Sequence, residues 1–202
     1  MDTLIKCNLR GFQNNFEELK LLLKGSQSTV VALQECRFGE GQSPPRVTNC
    51  SFRGCVSLER GILLIRNGTH FSEILLSTGL HATASTVSME KTLTVCSLYL
   101  PPTTPNSKHS LAELLEQLHK LFLVLGDFNA HFPAWGDSRL DGRGRMLEEF
   151  MVENDLIILH SGEQTFVHSA YHSTSAIDLA MTSPSIAAKC SWAADSDLRG
   201  SN

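Results

Sequence analysis

The stretch LVLGDFNAHF, residues 123–132, decides the fold assignment. It begins with a short apolar run, which is typical of a buried strand. Gly126 follows, and then Asp127 and Asn129 with Phe128 between them. Two residues apart on a strand, Asp127 and Asn129 should point the same way and Phe128 into packing, while Gly126 lets the backbone pass close to the site. A carboxylate and a carboxamide at a strand end indicate a functional site.

The same arrangement recurs in four other apolar runs, which end in or contain Asn8, Glu35, Tyr99 and Asp178. Burying a carboxylate is unfavourable unless it is paired or binds a metal. A single Glu after an apolar run is more often a loop residue or a cap than a ligand. Six such groups, all of them oxygen or amide groups, favour one convergent site.

Oxygen ligands of this kind are typical of Mg²⁺, which is usually held by one or two carboxylates and substrate phosphate. The chain has no HExxH, no Cys/His spacing for zinc, no GxSxG and no Walker loop. With no protein nucleophile indicated, water is the simplest attacking group. The residues therefore predict metal-assisted hydrolysis of a phosphate ester.

The composition predicts one globular domain over residues 1–202, with 42% apolar and 19% charged residues. The net charge of -4 argues mildly against non-specific binding to polyanions, although a metal site itself collects carboxylates. The six cysteines include no CxxC pair, which favours reduced core thiols in an intracellular protein. No signal peptide or membrane-length apolar run is present, so we expect a soluble protein without a membrane partner.

Hydrophobic periodicity predicts helices over 14–25, 110–120 and 144–156, with Ser110 as the N-cap of the second and Glu113 in its capping box. Strands are predicted over 3–9, 28–35, 60–69, 122–128, 156–160, 165–169 and 176–183, and two more over 81–102 with a turn near 89–91. A last strand is predicted to begin in 188–195. This strand-rich mixture favours a four-layered α/β sandwich, in which two packed mixed β-sheets are flanked by helices.

Five short blocks carry a family resemblance: KCNLRG, ALQE, SLYLPP, GDFNAH and SAIDLAM. In order and spacing they resemble the DNase I-like endonuclease/exonuclease/phosphatase superfamily. The longer blocks LGDFNAHFPAWGD, GRGRMLEEFMVENDLIILHSGEQTF and STSAIDLAM resemble the endonuclease domain of a LINE-type (non-LTR) retrotransposon polyprotein. The resemblance runs from about residue 4 to the last residue.

This resemblance implies a Mg²⁺-dependent enzyme, with Mn²⁺ as a substitute, that nicks DNA in the nucleus. The 3′-hydroxyl would prime reverse transcription by a polymerase domain downstream in the same polyprotein. Glu35 would be the principal metal ligand, with Asn8 beside it, and Asp127 would orient or deprotonate the attacking water.

Other roles implied by the resemblance concern the phosphate. Asn129 would donate hydrogen bonds to the scissile phosphate, Tyr99 would position it, and Asp178 would support a catalytic histidine. Arg10, just after Asn8, is placed for a phosphate contact. Thr165 belongs to the stretch GEQTFVHSAYHSTSAID, which resembles a hairpin that enters a DNA groove, with His168 and Tyr171 as further contacts. A simply solvated hairpin remains an equal alternative.

The end of the chain departs from the family pattern. Ser201 aligns with the serine of a terminal Ser-Asp-His motif and Asn202 with its aspartate, so the histidine would be residue 203. We therefore expect a domain truncated before its final strand. Cys7 stands where such families often carry an aromatic residue, which predicts a packing change.

Two alternatives to a retrotransposon endonuclease stay open: another phosphoesterase of the same fold, acting on abasic sites or phosphorylated small molecules, and a decayed, non-catalytic fragment. Among single residues, His131 is expected at the surface or in support of the site, and Trp135 and Trp192 in packing. The loop SRLDGRGR, residues 138–145, is interpreted as solvated, with a phosphate-binding patch as the alternative.

Overall fold

Two mixed sheets form the centre of the protein in the computed structural model, which describes residues 2–38, 45–53, 61–103, 107–160, 162–168 and 173–194. Tyr171, Ser201 and Asn202 lie outside these residues, as does the side chain of His168. The roles expected for them therefore rest on the sequence alone.

The first sheet has four strands in the order β1-β2-β4-β3. These strands are β1 (Leu4–Asn8), β2 (Val30–Gln34), β3 (Cys50–Arg53) and β4 (Ile62–Arg66). Strand β1 runs parallel to β2, and helix α1 (Phe16–Gly25) lies between them in the chain. The other pairs in this sheet are antiparallel.

The second sheet has six strands in the order β5-β6-β7-β8-β12-β9. Its strands are β5 (Phe71–Ile74), β6 (His81–Ser88), β7 (Thr92–Tyr99), β8 (Phe122–Asp127), β9 (Ile157–Leu159) and β12 (Asp178–Thr182). Strand β7 runs parallel to β8, with α2 (Lys108–Glu116) between them in the chain. Helix α3 (Gly142–Glu153) precedes β9, α4 (Pro184–Ala187) follows β12, and β10 (Phe166–His168) and β11 (Ser173–Ser175) form a separate hairpin.

Three apolar clusters separate the layers. Val30 and Leu63 of the first sheet share the central cluster with Val95 and Leu125 of the second. A second cluster joins α1 to the outer face of the first sheet. A third joins α2 and α3 to the outer face of the second sheet. The order helix, sheet, sheet, helix confirms the predicted four-layered sandwich.

The predicted start of the second helix was wrong. Helix α2 begins at Lys108, and its N-cap is Ser107, which is extended and accepts a hydrogen bond from the backbone N of Ser110 at 3.2 Å. Ser110 lies inside the first turn, where it cannot act as the cap, so Glu113 is not at the capping-box position. The apolar face of this helix is clear in the sequence. Ser107 and Ser110 both lie near its start, however, and the sequence pattern alone did not distinguish which of them is the cap.

The described part of the segment after β12 also differs from the prediction. Residues 188–194 form no strand, because Ser183 and Pro184 begin the short helix α4 and the chain leaves it in an irregular path. Trp192 in this segment stacks on His160, with ring centroids 5.8 Å apart. The short strands β3 and β5 were not predicted.

Cysteine burial matches the prediction of core thiols in part. Cys36 and Cys96 are buried, and burial raises the pKa of Cys96 to about 12. Cys7 is half-buried and packs with the α1 cluster, whereas Cys190 is exposed. All five described cysteines are free thiols. None of the described helices combines the length and hydrophobicity needed to cross a bilayer.

Candidate active site

Strand ends bring Asn8, Glu35 and Asp127 into one hydrogen-bonded group. Asn8 ends β1 and pairs in register with the last residue of β2, so Glu35 follows directly beside it. The Asn8 Nδ2 lies 2.7 Å from Glu35 Oε1 and 2.7 Å from Asp127 Oδ2. A side chain of the first sheet thus joins the carboxylate that ends β8 in the second sheet. Asn8, Glu35 and Asp127, which were predicted to converge, therefore lie together.

Asp178 completes a cluster of three carboxylates. It is the register partner of Asp127 on the neighbouring strand. It also forms an ion pair with Lys6, a residue that the sequence reasoning missed. The available signal was the spacing, since Lys6 stands two residues before Asn8 and so shares its face of β1.

The environment of Asp127 strongly disfavours its charged form. Burial raises the pKa of Asp127 to about 7, and the charge of Asp178 adds to the effect. Lys6 and the backbone N–H of Asn129 act in the opposite direction. Glu35 is itself paired with the exposed side chain of Arg37. Carboxylates therefore crowd one another at this site.

The predicted geometry of the GDFN segment needs correction. Strand β8 ends at Asp127, and Asn129 has a left-handed backbone with φ of 46°, so the two are not successive same-face positions of one strand. The reason is local: Asp127 Oδ1 accepts a hydrogen bond from Asn129 N at 3.1 Å and turns the chain. The Asn129 Nδ2 then donates to Leu100 O at 3.1 Å. Phe128 is fully buried, as expected.

Gly126 permits β8 to pack closely against β7. The prediction that it lets the backbone pass close to the site was therefore wrong. A Cβ at this position would lie 2.0 Å from Leu98 O on the neighbouring strand. Any side chain there would push β7 and β8 apart. Because β8 carries Asp127, the glycine acts on the site through the spacing of these two strands.

Tyr99, Arg10 and Thr165 lie around the cluster. Tyr99 ends β7 as the register partner of Asp127 and is 7% exposed, with its ring edge-on to His81. The Arg10 guanidinium lies 4.7 Å from the ring centre of Phe166 on the hairpin. Thr165 Oγ1 accepts a hydrogen bond from Asp178 N at 3.1 Å. These contacts connect the base of the hairpin to both sheets at the site.

The loop 138–145 contains a buried arginine, which neither interpretation of this loop had foreseen. Arg143 donates to Leu100 O at 3.0 Å, Phe128 O at 3.2 Å, Pro101 O at 2.9 Å and Pro102 O at 3.3 Å. These carbonyls belong to the chain segments that follow β7 and β8. Arg143 therefore ties together the loops that carry Tyr99 and Asp127.

His131 supports the site rather than joining it, as the sequence suggested. Its Nδ1 lies 2.8 Å from Asp137 Oδ2, and Asp137 also accepts from Arg139 N and Ala176 N. Burial alone would raise the pKa of Asp137, but these hydrogen bonds outweigh burial and lower the pKa. The network joins the loop after β8 to the segment before β12. Trp135 is buried in packing, as predicted.

The donor set fits a hard divalent cation. Carboxylate and amide groups converge. Burial and, after it, the charge of Asp178 raise the pKa of Asp127, and a bound cation would stabilise the charged carboxylate against both. Asn8 currently faces Glu35 and Asp127 with its Nδ2, not with its oxygen. Among the described residues, no group of three or more His, Cys, Asp or Glu side chains is arranged as a preformed metal site. This suits Mg²⁺, which retains several waters and needs few protein ligands.

A groove of about 700 Å³ leads away from this cluster. Lys6, Asn8, Arg10, Asp127 and Asp178 form part of its polar wall. Apolar residues of β1, β8, β12 and the segment after α4 line the rest. Asp127 and Asp178, two of the three carboxylates, therefore line this groove, whereas Glu35 does not.

Comparisons with known proteins agree with this architecture. The sequence profile of the endonuclease-reverse transcriptase family matches residues 93–201. The RNA-directed DNA polymerase from mobile element jockey of Drosophila funebris is 29% identical over 177 residues, which cover 84% of this chain and 19% of that protein. A probable RNA-directed DNA polymerase from transposon BS of Drosophila melanogaster is 25% identical over 86% of the chain and 20% of its own length. The chain thus spans about a fifth of these relatives.

Solved structures share the fold. The endonuclease domain of TRAS1, a telomere-specific non-LTR retrotransposon, has a TM-score of 0.80 at 16% identity, covering 96% of this chain and 91% of that one. The AP endonuclease LMAP from Leishmania major has a TM-score of 0.72 at 13% identity, covering 92% and 80%. The chain belongs to the endonuclease-reverse transcriptase family, as a LINE-type retrotransposon endonuclease domain of the DNase I-like fold.

Proposed function

We propose that this domain is a Mg²⁺-dependent DNA endonuclease that nicks one strand and leaves a 3′-hydroxyl for reverse transcription. The priming would serve a polymerase domain of the same polyprotein, acting in the nucleus. The observation that carries the proposal is the Asn8 amide held between Glu35 and Asp127, with Asp178 next in register. Family membership supports nuclease chemistry, and nucleases of this fold generally use divalent metals.

Glu35 and Asn8 would hold the metal, with Asp127 near it. The cation would polarise the phosphate and offset negative charge as the bond to water forms. Asp127 would take the proton of the attacking water. It is one of the residues that line the groove, and burial raises its pKa to about 7, close to the value that suits a general base.

 Attack would join the water oxygen to phosphorus and break the P–O3′ bond. The 3′-oxygen leaves, takes up a proton and becomes the 3′-hydroxyl, and the phosphate stays on the 5′ end.

The remaining residues would act on the phosphate. Asn129 donates one amide hydrogen to Leu100 O, and the NH₂ group has a second hydrogen for a phosphate oxygen. Tyr99 lies beside Asp127 in register. Arg10 and Thr165 lie at the base of the hairpin, which we propose as a DNA contact. Ser201 and Asn202 would contribute from outside the described residues.

The test is nicking of supercoiled plasmid by the protein produced from the complete reading frame that encodes the chain. With Mg²⁺ we expect open circles, and none with EDTA. A DNA polymerase should extend the nicked product directly if the 3′ end is a hydroxyl. Duplexes with an abasic site and phosphorylated sugars, assayed in parallel, test the other phosphoesterase reactions.

Glu35→Ala and Asp127→Ala should each reduce nicking by at least ~100-fold while the far-UV spectrum is unchanged. Glu73→Ala is the matched control, because Glu73 is an exposed carboxylate on β5. Wild-type rates in either site variant would show that the site is misplaced. Loss of nicking in the control as well would point to unfolding instead.

A further inference from the structure

Lys6 occupies an inward position of β1. Leu4, two residues earlier, packs in the central cluster between the sheets, whereas Ile5 and Cys7 pack on the α1 side. Because successive side chains of a strand lie on opposite faces, Lys6 and Asn8 lie on the same face as Leu4, in the space between the two sheets. A lysine is unusual at a position whose predecessor on the same face is a leucine packed against the core.

The Lys6 ammonium group pairs with Asp178 across the gap between the sheets. The side chains of Lys6 and Asp178 are only 7% and 12% exposed. Asp178 is the register partner of Asp127, so two carboxylates stand directly opposite each other on β12 and β8. Like charges in such a pair repel, and Lys6 offsets that repulsion.

A contribution to stability does not explain the ion pair between Lys6 and Asp178. Burying two charges costs about as much as their attraction returns, so an apolar pair of similar volume would hold the sheets together as well. The position of the pair suggests a different role. Both residues line the groove beside Asn8 and Asp127. Oδ1 of Asp178 is bound to Lys6, and no donor among the described residues bonds to its Oδ2.

We propose that Lys6 is a positioning residue of the reaction centre, which acts by fixing the Asp178 carboxylate. With Oδ1 held by Lys6, the Asp178 carboxylate is fixed at the wall of the groove, where it would orient a group that acts on the phosphate. The inference rests on the proposed nuclease function. It adds a residue to which neither the comparisons nor the sequence resemblance gives a role.

A double-mutant cycle on the protein from the complete reading frame tests this role. Lys6→Met and Asp178→Asn should each lower kcat for plasmid nicking by ~10- to 100-fold, with KM for DNA changed less than about twofold. The double variant should be no slower than the slower single variant, because both changes disable the same carboxylate. Lys6→Arg should recover most of the rate, since it keeps the charge and the donors.

Thermal stability and nicking rate should change differently across these same variants. Lys6→Met leaves Asp178 buried without its partner, so Tm should fall, and adding Asp178→Asn should raise Tm again. Nicking should stay low in the double variant. If nicking returned together with Tm, Lys6 would be a structural residue only and the inference would be overturned. Additive losses in kcat would overturn it too.

The controls separate this inference from the proposed function. Lys120→Met removes an exposed lysine away from the groove and should leave the rate unchanged. If the wild-type protein does not nick DNA with Mg²⁺, the proposed function fails. If the wild type nicks and Lys6→Met nicks equally fast, only the role of Lys6 is refuted.

Discussion

At the scale of single residues, Asp127 shows a conflict between stability and chemistry. The carboxylate is buried beside Asp178, and the pKa is raised to about 7. A group chosen for stability would be neutral or apolar here. A carboxylate that loses its proton near neutral pH is suited to accept one from water.

This conflict predicts a pH-dependent gain in stability for Asp127→Asn in the absence of divalent metal. The folded pKa lies above the unfolded value of 3.8, so ionising Asp127 destabilises the fold as pH rises from about 4 to about 7. The stability advantage of the variant should therefore grow by ~2 kcal/mol between pH 5.5 and pH 8. Urea unfolding at both pH values measures it.

Asp155→Asn is the matched control, because Asp155 is an exposed carboxylate at the end of α3. Its stability difference from the wild type should be the same at both pH values. If the effect of Asp127→Asn were the same at both pH values, the pKa of Asp127 in the folded protein would not be raised above its unfolded value.

At the scale of elements, helix α3 does more than cover the second sheet. Asp141 caps its N-terminus by accepting from Gly144 N at 2.6 Å. The cap fixes the first turn, and Arg143 in that turn reaches the carbonyls of the two loops beside the site. The helix start thus holds the loops that follow β7 and β8 in a fixed relation.

Arg143→Ala should therefore cost ~2–4 kcal/mol, because several carbonyls lose their donor together in a buried setting. Arg145→Ala, one exposed position in the same helix, should stay within about 0.5 kcal/mol of the wild type. Urea unfolding of the three proteins compares them. Equal stability of both variants would contradict a structural role for Arg143.

At the scale of the whole molecule, the outer edge of β1 is the open side of the sandwich. Among the described residues β1 pairs only with β2, and the groove runs along its free edge. The groove is lined by residues of both sheets, such as Leu4 of β1 and Leu125 of β8, so the packing of the two sheets against each other shapes the approach to the site.

The sequence by itself determined the layers of this protein and most of its site. Apolar runs of strand length and three predicted helices indicated the four-layered sandwich, because hydrophobic periodicity is a local property. The polar residues Asn8, Glu35 and Asp127 at the ends of those runs were predicted to converge, because burying a polar group is unfavourable unless it is paired, and the fold brings them together. The family resemblance added their expected roles.

Only the tertiary structure decided which groups face each other. Lys6 looked like an ordinary strand residue until β12 placed Asp178 opposite it, 172 positions away in the chain. Arg143 looked like part of a solvated loop until four distant carbonyls surrounded it. Asn129 left the strand because the Asp127 side chain captured its backbone N–H. Burial and pairing depend on contacts between distant segments, which no local pattern encodes.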